Sequence, residues 1–393
     1  MKKRFCLSAR AANRFPRALR GFLLAAWLLV GTAAQATSAA APETHPTTRS
    51  VDLVIALDVS GSMSGLLNSA RQRLWDIVND LGSASPQPDL RVAVISFGSP
   101  SYSAEEGYVR LDQPFTRDLD RVNQTLFAFQ TNGGDEYVAR AIDTAVKRLD
   151  WSHDADALRM LFVAGNEGAE QDPLISVESA VRTALDRDIV VNTIYCGGPL
   201  DSDARGWADV ATLSEGVFAS IDQSAAAVAN VATPVDDTLL SLNEQLNDTY
   251  VAFGAGGEEG RKNQQAQDAN AYGMSAPAAA SRVAAKAGSF YRAENWDLVD
   301  AVAGGTSLEE VAEAELPEPM REMNLEQRAD YLKEKQDKRL QLKQEIADLN
   351  RERQQFIAEE KAKRDDAEGL DDAIRSGLRA AAEKKGFAFE EEG

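Results

Sequence analysis

From Val51 onward the chain alternates short, near-continuous apolar runs with helix-length amphipathic stretches, and this alternation restricts the fold more than any other feature. The runs at 51–57, 90–97, 158–163 and 189–195 are apolar or β-branched almost throughout. A strand with one wet face would alternate polar and apolar residues, so these runs predict strands covered on both faces. Between them, amphipathic stretches at 66–81, 119–129, 137–149 and 175–185 predict helices. Strand and helix in alternation predict an α/β fold: a doubly wound, mostly parallel sheet with helices on both faces. In such folds ligands sit beyond the carboxyl ends of the strands, so the loops that follow strands are where function is to be sought.

The start of the chain differs from this body. Residues 1–20 carry Lys2, Lys3, Arg4, Arg10, Arg14, Arg17 and Arg20 and no acid, followed by the apolar run 21–30 and by Ala34-Gln35-Ala36. That order predicts a signal peptide over 1–36, cleaved after Ala36, and a periplasmic or secreted product. The apolar run falls short of the roughly 20 residues a membrane span needs, so the mature chain is expected to lack a transmembrane helix; an uncleaved anchor is the rival reading. Residues 37–49, rich in Ala, Pro and Thr, read as a flexible tether. The exported chain keeps only Cys196 and can form no internal disulfide; the strand-like setting of Cys196 predicts burial. A net charge of −20 argues against nucleic acid or an anionic membrane surface as the main partner, since both need a basic footprint.

The loop after the first strand carries the most information. It reads Asp58-Val59-Ser60-Gly61-Ser62-Met63-Ser64-Gly65, entered from a buried strand and left into a helix. One carboxylate and two hydroxyls at alternate positions gather hard oxygen donors around a point, which suits Mg²⁺ or Mn²⁺ better than softer metals. Gly61 allows the tight turn between them. The same residue types also suit a plain turn and helix N-cap. With its strand before and helix after, this segment resembles the von Willebrand factor A domain, whose D-x-S-x-S motif opens the metal-ion-dependent adhesion site. The resemblance runs from about 49 to 222 and implies a domain over 50–248, with 225–246 as its closing helix.

What the resemblance implies further is an exported protein-binding module of bacterial type, whose metal keeps an open position for an acidic side chain of a protein partner. Relatives draw a second ligand from a later loop, commonly a Thr after two glycines. Here that loop is Thr131-Asn132-Gly133-Gly134-Asp135-Glu136, which puts Asp135 at the Thr position and leaves Thr131 as the weaker candidate. Gly-Gly-Asp before a helix is also an ordinary capping sequence. A third contribution usually comes from the Asp of a T-D-G sequence. This chain has Phe162-Val163-Ala164-Gly165-Asn166-Glu167 instead, so Asn166 or Glu167 could help only through a carbonyl or a bridging water. The expected metal set is Asp58, Ser60, Ser62 and Asp135.

Other chemistry finds little support. Gly61-Ser62-Met63-Ser64-Gly65 does not satisfy G-x-S-x-G, His45 and His153 lie in polar segments, no zinc spacing exists, and Gly254-Ala255-Gly256-Gly257 lacks the rest of a phosphate loop. The chain therefore reads as a binding protein and not an enzyme.

Beyond the head, 249–322 is expected to be a loop-rich connection, with Phe290-Tyr291 and 296–299 completing a local core. Residues 323–393 form a helical arm. A capping-box-like Asn324-Leu325-Glu326-Gln327 opens a run to Glu368 without Gly or Pro, about 67 Å long as one helix. Heptad a positions fall on Leu325, Leu332, Arg339, Ile346 and Arg353, and d positions on Arg328, Lys335, Leu342, Leu349 and Phe356. Six of these ten are apolar, which predicts either a coiled coil or an arm packed within the chain. Hence a second functional reading: an envelope scaffold or homo-oligomer built through the C-terminal helices, with a degenerate metal site.

Overall fold

The computed structural model describes residues 48–220, 231–364 and 370–389; the predicted signal peptide and almost all of the tether lie outside them. In chain order the first part comprises β1 (Arg49–Asp58), α1 (Ser64–Gly82), β2 (Ala84–Ser85), β3 (Pro88–Phe97), β4 (Val109–Thr116), α2 (Leu119–Ala128), α3 (Val138–Arg148), β5 (Leu158–Gly165), α4 (Val177–Leu185), β6 (Val190–Tyr195), α5 (Ala204–Leu213) and β7 (Phe218–Ser220). Six strands form one sheet in the order β4-β3-β1-β5-β6-β7, all parallel except the β3–β4 pair. This is the doubly wound architecture that the alternation predicts.

β1 lies between β3 and β5, in register Val54↔Ala93 on one side and Val54↔Leu161 on the other. Leu53, Ile55 and Leu57 point into an apolar layer with Leu66, Leu74 and Trp75 of α1, while Val54 and Ala56 join a second layer with Ile142 of α3 and Val181 of α4. Two covered faces explain the unbroken apolar run. The exception within it is Asp52, fully buried but held by the Arg91 guanidinium at 2.8 and 2.9 Å and by the Ser152 N–H at 2.6 Å. β4 is an edge strand whose residues are mostly half-exposed, and α5 supplies Trp207 to the second layer.

The rest is α6 (Asp236–Asn247), α7 (Gly257–Met274), α8 (Ala276–Ala287), α9 (Leu298–Ala303), α10 (Glu318–Arg321), α11 (Leu325–Arg364), α12 (Leu370–Lys384) and β8 (Ala388–Phe389). The closing helix expected over 225–246 begins at Asp236; residues 221–230 lie outside the described set. Pro234, which has no N–H to give and disfavours helix before it, precedes this start. α6 packs on α8 and α11, and the helix beside β7 and α1 is instead α12. There Leu378 and Ala382 are buried, and β8 pairs with β2.

Where composition predicts a loop-rich connection, the chain forms α7, α8 and α9. α7 is polar on nearly every side, so it leaves no apolar stripe in the sequence. Its inward face is made of Gln264, Gln267 and Ala271. Arg282 of α8 is fully buried, donating to Asp268 of α7 at 2.6 Å and Asp120 of α2 at 2.7 Å, and lies 4.8 Å over the Trp75 ring of α1. A charged joint thus fastens this helical layer to the sheet domain. Phe290, Tyr291 and Trp296 are buried, as expected.

α11 is 40 residues long and opens on a complete capping box: the Asn324 N–H donates to Gln327 Oε1 and the Gln327 N–H to Asn324 Oδ1, both at 2.9 Å. Of the ten seam positions only Leu325 is exposed, and Leu332, Arg339, Leu342, Ile346 and Arg353 are buried. They pack within the chain, against α6, α8 and α9. The two buried seam arginines meet acids, while Arg328 donates to the Met320 and Arg321 carbonyls. Arg353 donates to Asp236 at 3.1 Å; Arg339 donates to Asp297 at 2.6 Å and Asp300 at 2.5 Å and stacks over Tyr250. Among the described residues no helix is long and apolar enough to cross a membrane.

Arg339→Ala removes the cation from a carboxylate, Asp297, whose side chain is 0% exposed. Urea denaturation should show a loss of about 3–5 kcal/mol, and pairing the change with Asp297→Asn should recover part of it.

Candidate metal centre

Asp58 is the last residue of β1, with β3 and β5 on either side, so it stands at the middle of the sheet's carboxyl edge. It is fully buried. Its Oδ1 accepts the Ser60 N–H at 2.7 Å. The turn is pinned from two sides, by the Val59 N–H to Phe97 O and the Asn132 N–H to Val59 O, each at 2.9 Å. Two glycines let the backbone come this close. At Gly98, which has φ +85°, a Cβ would lie 2.7 Å from Asp58 Oδ1; at Gly165 it would lie 3.3 Å from the Asp58 Cβ.

Ser60 and Ser62 follow on the same turn, their Oγ atoms 3.4 Å apart. Ser60 is buried and Ser62 exposed. The Asn166 amide donates to Ser62 Oγ at 2.9 Å, so the residue in place of the T-D-G acid is drawn into the cluster and orients a hydroxyl. Helix capping does not account for these side chains: neither α1 nor α3 has a side-chain cap bond at its N-terminus.

The 129–137 loop brings a different carboxylate from the one the motif suggests. Asp135 is exposed and lies beside the Tyr137 hydroxyl. Glu136 turns inward, is 6% exposed, and places its carboxyl against that of Asp58. Thr131 is half-buried and joins none of the cluster's hydrogen bonds. Counting from the glycine pair selects Asp135, but the register of a loop decides which of two adjacent acids faces in. The one sequence signal was that Glu136 immediately precedes the aromatic and apolar start of α3, where the chain returns to the core.

The electrostatics of this pair are unusual. Burial raises the Asp58 carboxyl to about 6. Burial, and then the Asp58 charge beside it, raise Glu136 to about 9. Glu167, exposed on the next loop, adds to both shifts. Asp58 Oδ2 and Glu136 Oε2 are buried with no hydrogen-bond partner. Such atoms are rare because desolvating an acceptor without replacing its partner costs about 1–3 kcal/mol, more when charged. A hard dication fits this donor set, two free carboxylate oxygens and two hydroxyls. No cage of three or more Asp, Glu, His or Cys exists among the described residues.

Cys196 and His153, the other reactive side chains noted in the sequence, are not among the cluster's donors. Cys196 is buried, and burial pushes its thiol far above the ordinary range. His153 is almost fully exposed, on the loop before β5.

Because both carboxyls sit above their unfolded values, the stability they contribute to chelated protein is complete at low pH and is lost as pH rises through about 6 and then about 9. Urea midpoints measured in chelator should therefore fall as pH rises across that window. Glu136→Gln, which develops no charge, should flatten the upper part; an unchanged slope would show that the two carboxyls are not confined together.

Residues 52–230 match the model of the family described as von Willebrand factor type A domain. No curated protein matches the chain significantly. Among solved structures, a von Willebrand factor type A protein from Catenulispora acidiphila is 17% identical, with 46% of this chain and 40% of that one covered and a TM-score of 0.35. Proximal thread matrix protein 1 from the mussel byssus, with a zinc-occupied MIDAS motif, is 13% identical over 45% and 43%, TM-score 0.36. The pilus adhesin SpaC from Lactobacillus rhamnosus GG is 13% identical over 46% and 29%, TM-score 0.35. The chain thus spans less than half the length of each.

Proposed function

With residues 52–230 matching the von Willebrand factor type A domain, we propose that this chain is an exported, non-enzymatic module that binds a protein partner through a divalent cation held by Asp58, Ser60, Ser62 and Glu136. The observation that carries the proposal is the pair of buried, unpartnered oxygens, Asp58 Oδ2 and Glu136 Oε2, facing one site. Each residue has a distinct task. Asp58 supplies charge, and the Ser60 N–H fixes its Oδ1 so that Oδ2 stays free as a donor. Asn166 orients the Ser62 hydroxyl. Glu136 takes the part that the motif assigns to the Thr and to the missing T-D-G acid, and brings a second negative charge. All donors are hard oxygens, which favours Mg²⁺ or Mn²⁺. The bound ion supplies a coordination position that an acidic side chain of the partner completes. The basic, apolar and small-residue order of 1–36 supports delivery to the periplasm or beyond.

The scaffold reading has less behind it. The α11 seam is already filled by the chain's own helices, so an oligomer would have to form through other surfaces.

Titration calorimetry of the full mature chain with Mg²⁺ and with Mn²⁺ tests the site. Uptake of one ion is expected in the wild type, abolished by Asp58→Ala, weakened at least about tenfold by Glu136→Gln, and left within about twofold by Asp135→Asn. Saturating metal should also raise the thermal midpoint, since a ligand at 100 times its Kd adds about 2.7 kcal/mol. Equal uptake by Asp58→Ala and wild type would end the proposal.

A further inference from the structure

Five loops surround the Asp58–Glu136 site: 59–63, 98–108, 129–137, 166–176 and 196–203. Together they contain nine Asp or Glu and no Lys, Arg or His. The whole chain has 42 Lys or Arg in 393 residues, so a region of this size without one is a local feature and not an average. Three of the nine are used internally: Glu136 in the site, Asp172 in a buried pair with Arg140 at 3.0 Å, and Glu106 with Arg148 at 3.2 Å. The other six, Glu105, Asp135, Glu167, Glu170, Asp201 and Asp203, are exposed, and none is in an ion pair among the described residues. Glu167, Asp201 and Asp203 converge around the Tyr195 hydroxyl on the loops after β5 and β6.

Those same two loops carry exposed aliphatic side chains. Leu174 is 80% exposed and Leu200 is 96% exposed, each at a loop tip on the face that holds the site. Leucines so placed gain nothing from the fold.

We infer that the partner's docking segment offers one carboxylate set among basic and leucine-like residues, the bases facing the acidic rim and the apolar side chains covering Leu174 and Leu200. The inference rests on the metal-mediated reading above and adds the chemistry that flanks the metal contact. A dication neutralises Asp58 and Glu136 but not the rim. A partner carboxylate on an acidic or neutral segment would approach a rim with six exposed acids, of which Glu167 is near enough to act on both site carboxyls. Basic flanks turn that repulsion into steering and leave the carboxylate free to reach the ion. Selection of partner then resides in the rim: the same acids that admit a basic segment reject an acidic one.

The test uses the full mature chain and four fluorescent synthetic peptides, read by anisotropy in Mg²⁺ and in chelator. One has a central Asp flanked by Lys and Leu; the second replaces Lys with Glu; the third replaces Leu with Ser; the fourth replaces the central Asp with Asn. The Lys/Leu/Asp peptide should bind at least about tenfold more tightly than the Glu peptide, and the gap should shrink as salt rises from 50 to 300 mM. It should also bind several-fold more tightly than the Ser peptide, a difference that Leu200→Ser should abolish. The double variant Asp201→Lys, Asp203→Lys, which leaves Mg²⁺ uptake in place, should lose the preference for Lys over Glu. Equal binding of Lys and Glu peptides, or binding of none by protein that takes up Mg²⁺, overturns the inference. If the Lys preference persists in chelator and with central Asn, the rim chemistry stands and the metal-mediated reading falls. If metal and Asp are required but flanks make no difference, the reverse holds.

Discussion

Two carboxylates confined in one buried space, without a cation of the protein's own between them, set the terms for everything at the carboxyl edge of this sheet. Asp58 Oδ2 and Glu136 Oε2 receive no hydrogen bond from any other group, so only a proton shared between the two carboxyls can bridge them. Elsewhere in the molecule buried acids are treated differently: Asp52 has Arg91, Asp120 and Asp268 share Arg282, Asp297 has Arg339 and Asp236 has Arg353. Among the described residues an arginine thus accompanies each of these acids, and none stands where β1 ends. That contrast, more than any motif, is what supports the metal-binding reading proposed above.

The apparatus that holds the pair in place is anchored in the centre of the sheet. β1 is covered on both faces and paired on both edges, so Asp58 cannot withdraw toward solvent without disturbing two apolar layers. Gly98 and Gly165 bring neighbouring backbone against the carboxylate, and the 129–137 loop is tied to Val59 through Asn132. The strain of like charges is therefore carried by the sheet, and relief has to come from protonation or from a cation.

Where the hydrophobic effect alone dictated structure, the sequence was readable. The runs at 51–57, 90–97, 158–163 and 189–195 fall within or against β1, β3, β5 and β6 because double-sided burial leaves unbroken apolar stretches. The amphipathic stretches coincide with α1 to α4 within a few residues at each end. β4 left no such signal since an edge strand is half wet, and α7 left none since its inward face bonds through Gln264, Gln267 and Asp268. The arginines at heptad positions of α11 read as defects in a seam, because the acids that complement them lie some 40 to 120 residues away in sequence. The site shows the same boundary. Asp58, Ser60 and Ser62 were legible from one contiguous turn, whereas choosing between Asp135 and Glu136 required the register of a loop that long-range contacts fix.

Net charge is subject to that boundary too. A composition of −20 argues against polyanions as the main partner but says nothing about where the surplus acid sits. The topology decides this: the loops after β1, β3, β5 and β6 and the α2–α3 connection meet at one edge of the sheet, so acids scattered from Glu105 to Asp203 in sequence become one rim around Asp58. A fold that collects its loops in this way makes their summed charge a property of the site. Because the five loops contain no lysine or arginine, on the metal-mediated reading proposed above the rim's field and that of a bound ion would oppose each other at an approaching carboxylate, and such a surface would discriminate by what surrounds the carboxylate and not by the carboxylate itself.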